Sequence, residues 1–393
     1  MKRPDVIVLD GAQRTALTCV RSLGRRGLSV LVADCVKSPL AAASRFSSGF
    51  LGYPDPAAQQ DSFLKWLHDL GNEWPGVVVL PVTDVTVPLC IKARDAGAAL
   101  RTALPESQGY ESVIDKFWLS ANAAKWGLRS PETFAVRKGE EQAALARDLA
   151  YPLVVKPRHS ATIVDGEIVR RSVGYAFDRL GLEQRFSEVL QGDDDEALVQ
   201  QFVKGDGFGI FVIFDQGRHL GTFAHRRLRE KPPTGGVSVL SQSESFDEVL
   251  EAKIRQMFED LSWHGVAMVE FKRDGSGQPW LIEINARLWG SVQLAVDSGV
   301  DFPSMLYDLA MGQRLRQHAG YRTGRKLRWL LGDLDSLYLV IKDPKVPVLK
   351  KLGRALQFLI PWTPGMKYEH FRWGDPVPAL SATVDYIRKS FLK

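Results

Sequence analysis

The sequence predicts an α/β fold for its first third and an α+β fold after that, on three observations. Apolar strand-like runs alternate with helical segments up to about residue 110. Beyond that point the runs pair as hairpins with helices beside them. From residue 320 onward the chain turns basic and its apolar residues take helical spacing. At 393 residues, two or three domains are expected.

The elements follow in order. Residues 5–10, around VIVLD, form a buried-strand run. Residues 14–26 place Ala16, Leu17, Val20 and Leu23 at helical spacing, and Gly27 ends the segment. A second strand is expected over 29–34 (SVLVAD), a helix over 61–70 and another buried strand over 76–80 (GVVVL). Strand alternating with helix implies right-handed βαβ units and a parallel sheet. The first turn, DGAQRTA, lacks GxGxxG. This disfavours a dinucleotide site and an oxidoreductase, and Asp34 reads as a polar strand-end residue. After residue 110 a helix is expected over 115–127, a strand over 151–157 (YPLVVKP), a helix over 183–191 and a strand over 197–203 ending at KGDGFG. Two hairpins follow. One spans 208–225 and turns at Asp215–Gly217; the other spans 266–287 and turns near Gly275–Gly277, with a helix over 247–261 between them.

Composition narrows the function classes. Apolar residues at 45% and charged residues at 25% exclude a disordered chain, a collagen-like chain and a disulfide scaffold. Cys19, Cys35 and Cys90 are far apart, with no CxxC pair, which predicts a reduced, cytoplasmic setting and no structural zinc. The start, MKRPDVIVLD, reads as a first strand and not as a signal peptide. No apolar run approaches the ~18 residues of a spanning helix. The net charge of +5 is uneven: residues 320–393 carry 14 Lys/Arg against 6 Asp/Glu, a net of +8, which leaves −3 for residues 1–319. A slightly acidic body disfavours a nucleic-acid partner.

The stretch GVAMVEFKRDGSGQPWLIEINARL carries the most chemistry. Centring the hairpin on its GSGQ turn sets Glu270 opposite Glu283, and period-two alternation puts Glu283, Asn285 and Arg287 on one face. Like charges directly opposite each other destabilise a sheet. Two carboxylates and an amide oxygen become compatible with a hard divalent cation between them, since Mg²⁺ takes oxygen ligands from one or two carboxylates and from substrate phosphates. A solvated edge face is the alternative, although the neighbouring Val269, Phe271, Leu281, Ile282 and Ile284 read as buried. Lys156, at the end of an apolar strand, reads either as a snorkelling lysine or as a point charge for phosphate. Lys116 alone reads as a helix-surface lysine.

Taken together, DK at 115–116, PLVVKP at 152–157, LVQQFVKGDG at 198–207, VEFK at 269–272 and LIEINARLWGSVQLAVDSGVDFP at 281–303 resemble the ATP-grasp superfamily of carboxylate–amine ligases. The resemblance is strongest to its carbamoyl-phosphate-synthase-like and D-aspartate-ligase-like members, and it covers about residues 5–315. It implies a Rossmann-like preATP-grasp domain over 1–110 and a two-lobed ATP-grasp domain over 111–319, with lobes of about 111–195 and 196–319. A mostly helical basic extension over 320–393 then follows. The cofactors implied are ATP and Mg²⁺ or Mn²⁺. Lys116 and Lys156 match the lysines that contact ATP, and Gln200, Gln201, Phe202 and Val203 match the interlobe strand that holds adenine. Asp206 lies near the usual ribose-binding acid. Glu270, Glu283 and Asn285 match the metal ligands, and Arg287 matches the arginine that contacts the transferring phosphate or acyl group. The run FAHRRLREKPPTGGVSVLS (223–241) resembles a substrate-side segment, where His225, Arg226, Arg227 and Arg229 offer cationic donors. Of these, Arg226 and Arg229 are the expected catalytic partners of Arg287.

The chain departs from that pattern in two places. Gln200 or Gln201 stands where a glutamate is common, and the phosphate-covering loop RHSATIVDGEIVRR has one glycine, leaving Arg158 or the Arg170–Arg171 pair to cover phosphate. The implied reaction activates a carboxylate with ATP as an acyl phosphate and joins it to an amine. The alternatives are a non-amine acceptor and a nucleotide-binding regulatory protein without turnover. In the tail, Leu349, Leu352, Leu356, Leu359 and Ile360 form an apolar stripe, with Lys350, Lys351 and Arg354 falling largely away from it. That stripe is expected to pack on the enzyme body or in a homodimer contact, with peripheral membrane contact as the alternative.

Overall fold

The computed structural model describes residues 2–158, 162–164, 167–169, 173–191 and 195–391. Its first unit contains β1 (Val6–Val8), α1 (Arg14–Arg25), β2 (Val30–Asp34), β3 (Gly49–Gly52), α2 (Gln60–Glu73), β4 (Val77–Leu80), α3 (Thr86–Asp95) and β5 (Leu100–Arg101). The five strands are parallel, in the order β3-β2-β1-β4-β5. Every residue of β1, β2 and β4 is buried, as expected of parallel strands covered on both faces. The strand order reverses between β1 and β4, which is where α/β sheets open a ligand crevice. The loops leaving those two strands are locked together by Asp10. Its buried carboxylate accepts from the Val82 amide at 3.0 Å and from Thr86 Oγ1 at 2.6 Å. Asp34 accepts from the Ala12 and Val36 amides, so it shapes the first turn.

α4 (Ser107–Ile114) and α5 (Lys116–Asn122) lead into the smaller lobe. There β6 (Thr133–Arg137), α6 (Glu141–Leu145), β7 (Leu153–Pro157), β8 (Thr162–Val164), β9 (Glu167–Val169), β10 (Gly174–Ala176), α7 (Arg179–Val189) and β11 (Glu196–Gln201) follow in sequence. Four of the strands form an antiparallel sheet, β10-β7-β11-β6, and β8 and β9 pair as a separate ribbon.

The larger lobe carries β12 (Gly205–Asp215), β13 (Arg218–Lys231), β14 (Val237–Ser243), α8 (Glu248–Asp260), β15 (Gly265–Asp274), β16 (Pro279–Asn285), α9 (Val292–Ser298) and α10 (Phe302–Ala310). Then come β17 (Lys326–Arg328), α11 (Leu330–Lys342), α12 (Val348–Leu359), β18 (Met366–Tyr368) and α13 (Val377–Phe391). The seven strands form one sheet, β16-β15-β12-β13-β14-β17-β18. α8 buries Leu250, Ile254, Met257 and Phe258 among Val212, Phe214, Ala267 and Val269. Truncating an aromatic such as Phe258 in a core of this kind costs about 3–5 kcal/mol. Phe211, Phe223, Trp289 and Phe302 share a second core with Val6, Leu17 and Leu23 of the first unit, so that unit and the larger lobe are continuous.

The region beyond residue 320 is helical, as expected, and is also built into the rest. β17 pairs with β14, and β18 extends the same sheet. Two charge nodes fix it. Arg21 on α1, 1% exposed, donates from Nε to Asp375 at 2.8 Å and from its Nη atoms to the carbonyls of Glu369 and His370. Asp333, fully buried, accepts from Arg229 at 2.7 Å, from Arg328 at 2.8 Å and from Arg354. The expectation that the α12 stripe packs on the enzyme body is not met. α12 is held by its opposite side, through Arg354, while Leu349, Leu352, Leu356 and Leu359 face outward.

Candidate active site

A cavity of about 550 Å³ opens between the two lobes, within the size range of small-molecule sites. Its lining includes Lys156, Gln200, Gln201, Phe202, Val203, Glu270, Glu283, Asn285 and Arg287. The sheet register brings them together. Glu270 lies directly opposite Glu283, and Met268 opposite Asn285, as the turn-centred pairing predicts. Past Glu270 the register slips by one residue, so Phe271 pairs with Leu281. The slip turns the Ile282 side into the cavity and leaves the carboxylate pair in place.

The pair is balanced by cations from three elements. Arg227 on β13 donates to Glu270 at 2.5 Å and to Glu230 at 3.1 Å. Burial pushes the Glu270 carboxyl above its usual range, and Arg227 opposes that push. Burial acts the same way on Glu283. There Lys116, Lys156 and a 3.1 Å hydrogen bond from Asn285 Nδ2 outweigh it and hold the carboxyl below its usual range. Lys156 Nζ donates to Gln200 Oε1 at 2.9 Å, and Gln200 Nε2 donates to Thr133 at 2.9 Å. The Gln200 side chain therefore aims the lysine. Burial lowers the Lys156 ammonium to about 8. Lys116 begins α5, where the Asp115 side chain caps the helix by accepting from the Phe117 and Trp118 amides. It is not a lining residue, but its charge reaches both Glu283 and Lys156.

Arg287 is positioned from the first unit. Its Nε donates to Asp84, in the loop after β4, at 2.6 Å, and its Nη2 donates to Asn285 Oδ1 at 3.2 Å. The loop after β4 thus positions Arg287 without lining the cavity itself. The first unit lines the cavity with the first residue of α1. Arg14 lines the cavity, is held by Glu369 at 2.5 Å and stacks 4.0 Å over Trp329. Trp289, also in the lining, stacks on Phe211 at 4.0 Å, an arrangement that adds about 0.5–1.5 kcal/mol. His225 donates to or accepts from Ser291 at 2.8 Å, and burial lowers its imidazole to about 3, so it stays neutral.

Four sequence expectations meet a different placement. Arg226 points away from the cavity and lies against Gln242 and Glu244, because strand alternation gives the cavity face to His225 and Arg227. Arg229 would return to that face, but an irregularity between Arg227 and Arg229 reverses the alternation and sends it to Asp333. Asp206 is exposed and outside the lining; on its strand the neighbouring Gly207 faces Arg227 and Glu230. Arg158 is held by Asp115 at 2.6 Å and Glu196 at 2.6 Å. Arg170 and Arg171 lie outside the described residues. Arg14 and Asp84 are not marked by the sequence, and Arg227 stands there only among the cationic donors of the 223–241 run. Parity along β13 favours Arg227 once His225 is set facing inward. Nothing in DGAQRTA marks Arg14 beyond its place after the first strand.

The donor set suits a divalent cation shared with phosphate. Among the described residues no group of three or more His, Cys, Asp or Glu side chains is placed to hold a metal ion by itself. Two opposed carboxylates and one amide leave most coordination positions to water and phosphate oxygens, the usual arrangement for Mg²⁺.

Comparison with known proteins bears on the fold. The family model described as "ATP-grasp in the biosynthetic pathway with Ter operon" matches residues 193–331. No curated protein matches the chain in sequence. Among solved structures, the L-amino acid ligase from Bacillus licheniformis is 19% identical with a TM-score of 0.62, covering 83% of this chain and 79% of its own. N5-carboxyaminoimidazole synthetase from Staphylococcus aureus complexed with ADP is 15% identical with a TM-score of 0.64, covering 88% and 86%. The MgADP-bound biotin carboxylase domain of Hydrogenobacter thermophilus 2-oxoglutarate carboxylase is 14% identical with a TM-score of 0.64, covering 83% and 74%. The chain has the ATP-grasp fold, and its residues 193–331 match an ATP-grasp family model.

Proposed function

We propose that this protein is an ATP-dependent ligase that activates a carboxylate as an acyl phosphate and joins it to an amine, releasing ADP and phosphate. The observation that carries the reading is the convergence of Lys156, Glu270, Glu283, Asn285 and Arg287 on one interlobe cavity. The hinge residues Gln200–Val203 form the side of the cavity suited to adenine, and Lys156 faces the phosphates. When bound between Glu270, Glu283 and Asn285, Mg²⁺ or Mn²⁺ neutralises charge on the phosphate oxygens. Arg287, fixed by Asp84, stabilises charge at the transferring phosphoryl group or the acyl oxygen. The two lobes exclude water and hold the reactants in line. The proton of the incoming amine is released to solvent or phosphate, and no side-chain nucleophile is needed.

A screen of amino acids and other carboxylates for ADP release, followed by product mass, tests the reading. ADP formed in proportion to a joined product is expected. ADP without a joined product, or no ADP with any acid–amine pair, overturns it.

Two variants test individual roles. Lys156→Ala is expected to weaken ATP binding with little change in melting temperature without nucleotide. Because Lys156 loses its proton near 8, ATP affinity is also expected to fall as pH rises through about 8, and this fall should vanish in the variant. Nucleotide titration across pH and one melting curve check both points. Arg287→Ala is expected to bind ATP yet fail to form acyl phosphate. Unimpaired phosphoryl transfer in a single turnover would remove Arg287 from the chemistry.

A further inference from the structure

The α11–α12 hairpin lies outside the site and presents its apolar side to solvent. None of the twelve residues of α12, all of them described, is buried. Leu349 is 83% exposed and Leu359 71%, with Leu352 and Leu356 between them on the same stripe. Trp362, just past the helix, is also exposed. On α11, Leu334, Tyr338 and Ile341 stand one turn apart and are exposed, while Gly332, Asp333, Ser336 and Leu337 face inward. The inward sides of both helices are bound by polar contacts. Arg354 donates to Asp333, Arg328 donates to the Phe358 and Ile360 carbonyls at 2.8 and 2.9 Å, and Ser336 donates to the Glu230 carbonyl. The hairpin is therefore rigidly mounted with its leucines outward, the reverse of an ordinary surface helix. Contiguous apolar surface of this kind marks an interaction site.

We propose that this face docks on an anionic lipid surface. The charge around it selects that occupant. The same hairpin exposes Lys342 at the end of α11, Lys345 in the turn and Lys350 in the first turn of α12, within a region of net charge +8. A second copy meeting the same face would bring two like-charged basic patches into one contact, since a two-fold contact uses the same patch on both copies. Anionic headgroups instead pair with the lysines while the leucines and Trp362 enter the boundary between headgroups and acyl chains. No described helix is long and apolar enough to cross a membrane, so the attachment is superficial.

The test uses full-length protein floated with phosphatidylcholine vesicles, with and without phosphatidylglycerol, at low and high salt. Flotation is expected with the anionic vesicles at low salt, with a marked loss at high salt or without phosphatidylglycerol. Lys345→Gln and Lys350→Gln should each weaken binding about fivefold. The double variant Leu352→Asp/Leu356→Asp should abolish flotation while keeping the wild-type melting temperature and ADP release. Absence of flotation on anionic vesicles overturns the proposal. So does unchanged binding by both lysine variants, which remain informative if the leucine variant fails to fold. A dimer in sedimentation velocity that the leucine variant converts to monomer also overturns it, by assigning the face to a second copy.

Discussion

Replacing Glu283 by glutamine is expected to lower turnover more than about a hundredfold while leaving the fold in place. Glutamine keeps the shape of the side chain and an oxygen that accepts from Asn285 Nδ2. It removes the negative charge that Lys116 and Lys156 stabilise. The two ammonium groups then sit near a neutral amide, and an incoming cation loses one of its two anionic ligands. The site keeps its packing, because Glu283 lies in a strand whose neighbours Leu281 and Ile284 are buried on the other side. Steady-state turnover over a Mg²⁺ titration, with a melting curve on the same preparation, checks this. Near-normal turnover at ordinary Mg²⁺ would remove Glu283 from the metal and phosphate chemistry.

Asp333→Ala is expected to cost about 3–5 kcal/mol of stability. One carboxylate with no solvent exposure answers Arg229, Arg328 and Arg354, and Arg328 is itself buried. Removing it leaves three guanidinium groups close together with no counter-charge. Their remaining partners are mainly backbone carbonyls, which satisfy hydrogen bonds and not charge. Asp333→Asn retains the shape and is expected to recover only part of the loss, which separates missing charge from a missing side chain. Denaturant unfolding of both variants measures it; a loss below about 1 kcal/mol in the alanine variant would show that the node contributes little.

The parts of this molecule legible in the sequence are those governed by local rules. The parallel strands announce themselves as short buried runs, and the two large hairpins are pinned by Asp215–Gly217 and Gly275–Gly277. The second turn brings Glu270 opposite Glu283 with no other information. What was not legible depends on irregularity or on distant partners. The slip after Glu270 and the one between Arg227 and Arg229 leave no periodic trace, yet the second decides that Arg227 and not Arg229 faces the cavity. Asp206 fails for a related reason: a position near a motif does not set the parity of its strand. Arg14 and Asp84 reach the site only because the first sheet reverses its order between β1 and β4, a tertiary fact. The α12 stripe misled in the opposite way. Its periodicity is real, but periodicity marks an apolar side without saying which way that side is mounted.

The Arg21–Asp375 pair gives the protein a timetable. The two residues are 354 positions apart, and Arg21 sits in α1. At about 5–20 residues per second, a ribosome takes roughly 20–70 s to deliver Asp375 after Arg21. Through that interval the opening βαβ unit holds a guanidinium destined for burial whose counter-charge does not yet exist. The contact that buries Arg21 therefore forms only after Asp375 has emerged. Synthesis runs from the N-terminus, while the partners that bury Arg21 come from residues 369–375.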